Sequence, residues 1–169
     1  ELGDGELAAQ SGTHTIAVPL TLTTRVECPV SSGAALALSG ALSGPGGLAK
    51  SGGGTLALNG TGTFSGGVTV GAGVLELNGS VSSPVTVNGG TLKGGGTVNH
   101  DLRIAGGTHA PGSSTGITTL TGSYLVQAGG VLQVEINGAT AGVEHDQVHL
   151  AGASGVVAIS GRLDLVAAP

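Results

Sequence analysis

Ser114 lies in the run Gly112-Ser113-Ser114-Thr115-Gly116, a G-x-S-x-G pattern that other folds use to expose a nucleophilic serine. That chemistry needs a strand before the serine and a helix after it. Here Pro111-Gly112 precedes the serine and a strand pattern follows, so a surface loop is expected. His145, Asp146 and His149 bring metal-ligand types together in Glu144-His145-Asp146-Gln147-Val148-His149. On a helix the two histidines would face one ion. On a strand they stand about 13 Å apart and cannot share it. Gly52, Gly54 and Ala57 fit G-x-G-x-x-A but lack the helix and the following acid that a dinucleotide site requires. Gly3-Asp4-Gly5 is a single fragment of a calcium-binding repeat that works only in regular copies. Glu76 and Lys93, seventeen residues apart, fit a surface ion pair. The sequence therefore assigns no catalytic, cofactor-binding or metal-binding residue.

What must position these residues is set by an unusual composition. Of 169 residues 35 are glycine and 9% are charged, while Phe64 and Tyr124 are the only aromatics. The core has to be a narrow space that Val, Leu, Ile and Ala can fill. A high aliphatic content with a net charge of −5 argues against disorder. Five basic residues make no track for a phosphate backbone, and two aromatics make no platform for bases, so no nucleic-acid partner is expected. Cys28 has no second cysteine to pair with and reads as a structural thiol. No basic and apolar leader opens the chain, and the reading is of a fragment or processed product.

The phrase Gly54-Thr-Leu-Ala-Leu-Asn-Gly60 returns nineteen residues later as Gly73-Val-Leu-Glu-Leu-Asn-Gly79. Val68, Val85 and Leu102 recur at intervals of seventeen, as do Val70, Val87 and Ile104, and Leu75 and Leu92. Alternation of apolar with small or polar residues marks short strands with one buried face, and the Gly, Asn-Gly and Ser-Gly breaks suit turns of positive φ. One coil of this length cannot bury its own apolar face, whereas stacked coils share a core. The fold predicted is all-β: one right-handed parallel β-helix of eight or nine coils spanning 1–169. Leu56 and Leu58 point in, Ala57 points out, and Asn59-Gly60 turns the corner. His109 falls where the register wants Leu. Either it lies on the stack or Pro111 has drawn the wall away, and the second is expected because Pro and Gly end strands.

Residues 39–79, 89–112, 124–138 and 145–166 resemble, in their glycine and leucine phrases, the passenger-associated repeats and terminal coils of bacterial autotransporters. The resemblance implies a β-helical stalk at the cell surface or outside a Gram-negative bacterium, exported through a C-terminal outer-membrane barrel that this chain lacks. It further implies that residues 117–169 form a terminal, autochaperone-like cap following the glycine-rich coils of 1–116. The first segment named holds 17 Val, Ile or Leu and 8 Gly, which also favours a stable core there. Three functions compete. The first is a non-catalytic stalk; the second is an adhesin or self-association module that meets other rods, host glycans or host proteins. The third is a polysaccharide lyase or hydrolase, which would need acids gathered in one groove, whereas here they are scattered.

Overall fold

The computed structural model describes residues 5–152 and 155–167, so Gly3 and Asp4 lie outside the described residues. All regular structure in these residues is β, and every pairing between named strands is parallel. The chain winds as a solenoid with three walls. Wall A holds eight strands: Thr13–Ile16, Ala35–Leu38, Thr55–Leu58, Val74–Leu77, Thr91–Gly94, Thr108–Pro111, Val131–Glu135 and Arg162–Val166. Wall B runs in seven strands from Leu20–Thr21 to Gln147–Leu150, and wall C in seven from Val26–Pro29 to Val157–Ile159. At about 4.8 Å per step the eight strands of wall A span roughly 35 Å.

The coil count is lower than the eight or nine expected, and the register shows why. Paired positions on wall A are 22, 20, 19, 17 and 17 residues apart as far as Thr108. The next two intervals are 23 and 31. Loops at 112–116 and 136–146 lengthen those coils, so fewer fit into the chain.

Three aliphatic columns fill the interior. On wall C, Val68, Val85 and Leu102 pair in register and continue to Tyr124, while Val70, Val87 and Ile104 continue to Val126. On wall A, Leu36, Leu56, Leu75 and Leu92 stack directly. All of these residues are buried. Wall B supplies Leu42, Val81, Val98 and Leu120 to the same cluster. Its column is interrupted at Gly62, and the ring of Phe64 occupies the space that a side chain there would need.

The corners differ from the sequence-based expectation in one physical respect. Gly60 and Gly79 are not in the positive-φ region. A Cβ on Gly60 would stand 2.2 Å from the Gly40 carbonyl oxygen, and one on Gly79 would stand 2.0 Å from that of Gly60. Glycine is required there because successive corners lie backbone on backbone. The asparagines beside them form a ladder, with Asn78 Nδ2 donating to Asn59 Oδ1 at 2.9 Å.

The aliphatic-rich C-terminal segment is the least enclosed. Val156, Val157, Ile159, Leu163 and Leu165 are all exposed. Among the described residues Arg162–Val166 is the last strand of wall A and pairs with Val131–Glu135.

Candidate functional site

Ser114 sits on an exposed loop closed at its base by paired hydrogen bonds between Gly94 and Gly112. The strand Ile117–Leu120 follows, not a helix. The loop is tied down by its neighbours. Ser113 Oγ donates to the Glu76 carboxylate, Thr115 Oγ1 donates to the Val143 carbonyl at 2.7 Å, and the Gly116 N–H donates to Asp146 Oδ1 at 2.8 Å. Glu76 and Lys93 are register partners on the outer face, but the expected ion pair between them is not formed. The Glu76 carboxylate has turned to Ser113 instead, a hydroxyl that the longer coil at 112–116 brings over it.

The Glu144-to-His149 run is likewise spread out. His145 uses Nδ1 against the Gly138 carbonyl at 3.1 Å inside its own loop. His149 is exposed on wall B, opposite Thr119. Among the described residues no three His, Cys, Asp or Glu side chains converge as a metal site. Asp146 has a role that its neighbours in sequence do not announce. It is 6% exposed, and its two oxygens accept from the N–H groups of Gly116 and Glu135 at 2.8 and 2.9 Å. Burial pushes its carboxyl above the ordinary value, while those two donors and His145 pull it down. The carboxylate thus pins the start of one wall B strand to the end of a wall A strand.

Two polar features lie inside the rod. Lys50 occupies an inward position on wall C between Cys28 and Val70. Its stem fills the column, and its ammonium reaches the corner, donating to the carbonyls of Ser51, Gly52 and Ala72 at 2.6, 2.7 and 3.2 Å. Burial lowers its pKa, with the Cys28 sulfur acting the other way. Cys28 is wholly buried, and burial pushes its thiol up to about 12, so it stays protonated and unreactive at neutral pH.

The second feature corrects the expectation for His109. Pro111 does not draw the wall away: Thr108–Pro111 continues wall A, with His109 between Leu92 and Leu132 and Pro111 opposite Gly94. Proline is tolerated as the strand's last residue because Gly112 resumes the bonding, exchanging both backbone hydrogen bonds with Gly94. His109 is therefore fully buried. Its Nδ1 lies 2.8 Å from the Tyr124 hydroxyl and its Nε2 lies 3.2 Å from Thr118 Oγ1. Thr118 in turn donates to the Gly94 carbonyl at 3.0 Å. That last bond fixes the rest. Thr118 spends its proton on Gly94, so it accepts from Nε2–H, and Nδ1 accepts from Tyr124. Each wall of this coil contributes one member, and the imidazole is satisfied only as the neutral Nε2–H tautomer. Burial holds its pKa down to about 3.

On the outside, Ala105, Leu125, Gln127, Ala128, Ala158 and Ser160 line an open, mostly apolar groove beside wall C. Arg103 reaches its rim and donates to Gln127 Oε1 at 2.7 Å. In comparisons with known proteins, the chain matches no family model and no curated protein.

Proposed function

We propose that the chain is a non-catalytic stalk, a β-helical passenger segment of an autotransporter-like protein that projects or presents material at the surface of a Gram-negative bacterium. One observation carries the reading: three parallel walls run along the rod around one continuous, mostly aliphatic core, in the register of the repeated phrases. Such a body is stiff and extendable, and it keeps its polar loops outside. The resemblance of residues 39–79 and 89–112 to passenger repeats supports the location. Antibodies raised against residues 55–104 should label intact cells that make the protein. Labelling only after permeabilisation overturns the reading.

A second reading, an adhesin or self-association module, is favoured by the apolar groove at Leu125 and Ala158 and by the exposed Val157, Ile159, Leu163 and Leu165. The purified chain on a glycan array, with sedimentation run in parallel, separates the two. A stalk gives an elongated monomer that retains no glycan, and an adhesin gives retention or concentration-dependent association.

A further inference from the structure

We infer that His109, Thr118 and Tyr124 form an acid-sensitive pin, and that protonation of His109 opens the rod from this coil towards its C-terminal end. The inference is independent of where the protein resides. The pin joins all three walls at one level, since His109 belongs to wall A, Thr118 to wall B and Tyr124 to wall C. Its hydrogen bonds are complete, and they leave no acceptor for a second imidazole proton. Adding one at Nδ1 would turn the Tyr124 hydroxyl from donor to acceptor and strand its own proton. It would also place a charge where nothing compensates it.

The groups facing the ring are Leu92 and Leu132 along the stack, and Thr118 and Tyr124 across it. Tyr124 alone among these can titrate, and burial pushes its phenol up, so it supplies no negative charge. Lys93 and Arg103 occupy the outward positions of their strands, and Glu135, which ends its strand three residues beyond Leu132, has its Oε2 buried without a partner. The buried carboxylate of Asp146 is engaged by two backbone N–H groups.

The direction of opening follows from what lies on each side. In a stacked array each coil is held only by its neighbours. Towards the N-terminus the pinned coil meets Leu92, Leu102 and Ile104, all buried. Towards the C-terminus it meets coils whose inward residues include the exposed Val157, Ile159 and Leu163. The weaker side gives way first. His109 binds a proton near 6.5 once released and near 3 while pinned. The stabilisation is therefore complete above about pH 6.5 and is lost as the pH falls towards 3.

Hydrogen exchange, normalised to the intrinsic rate at each pH, tests this on the full chain. Between pH 7 and pH 5 the opening constant for residues 108–150 should rise about 25-fold, with little change for residues 35–104. His145 and His149 lie outside the core in the same region, so the comparison is with His109→Leu, in which that rise should vanish. An equal rise in parent and variant overturns the inference. A direct reading stands apart from any variant's folding. In the native parent the His109 ring nitrogens, followed by NMR, should keep the Nε2–H neutral pattern from pH 7 to pH 5. Titration near 6.5 in the folded protein overturns it.

Discussion

The coils between Val68 and Ile104 and those after Val131 use the same three walls, but their side chains fare differently. In the middle, strands of two to four residues with glycine between them bury every inward aliphatic. After Val131 the branched aliphatics are as frequent, 13 Val, Ile or Leu in 39 residues against 12 in 37 at 68–104, yet Val157, Ile159, Leu163 and Leu165 stand open to solvent. Density of apolar residues is thus a poor guide to burial in a solenoid. What matters is a covered coil on both sides and a short corner that lets backbones close up.

The largest contrast is at the core. Val85→Asp places an unpaired charge between Val68 and Leu102 and should cost more than about 4 kcal/mol, enough to abolish the thermal transition. Leu163→Asp, at a position 52% exposed, should cost less than about 1 kcal/mol. Similar losses at the two positions would break the comparison.

The corners come next. A methyl group on Gly79 must displace the Gly60 backbone, so Gly79→Ala should cost roughly 2–3 kcal/mol in urea unfolding. In Gly152→Ala the added carbon would meet the Thr121 carbonyl oxygen at 3.0 Å, and the loss should stay below about 1 kcal/mol.

His109→Leu stands between the two regions. At pH 7 it should cost about 1–2 kcal/mol, because Tyr124 keeps a buried hydroxyl with no acceptor. The parent should lose stability as pH falls below 6.5, by up to about 1.4 kcal/mol per unit towards pH 3, and the variant should not show that slope. Denaturation at pH 7, 6 and 5 reads both effects.

The smallest effect is chemical. Cys28 should resist a thiol reagent until the rod unfolds, whereas a cysteine placed at Leu165 should react at once. Fast labelling of Cys28 would mean that the N-terminal coils open as readily as the last one.

The middle coils were legible because identical phrases recur there without loops. Val-Thr-Val at 68–70 and again at 85–87 can be laid in register by eye, and Leu75 over Leu92 follows. His109 departs from the sequence-based expectation because a proline two residues on ordinarily ends a strand. In this chain Pro111 is the last residue of a strand whose bonding passes to Gly112. Gly60 and Gly79 follow asparagines, the usual pattern of turn glycines, though the distance to the neighbouring corner is what excludes a side chain. That distance belongs to the stack and to no single coil. Lys50 on the inner column and Asp146 bridging two walls are of the same kind. Each depends on residues 11 to 30 positions away, and alternation patterns carry no such information.

The central claim is that successive repeats lie directly over one another in parallel register, and a distance measurement tests it most directly. Glu27 and Arg103 are exposed on the outer face of wall C, linked by the register through Ala49, Thr69 and Thr86. Spin labels at these two positions, in a Cys28→Ser background, are separated by four coil steps. A double electron–electron resonance measurement should give one narrow distribution near 19 Å plus the label arms, and moving the second label from Arg103 to Thr86 should shorten it by about 5 Å. A separation that fails to shorten, or a broad distribution centred well beyond 30 Å, would contradict the stacked register.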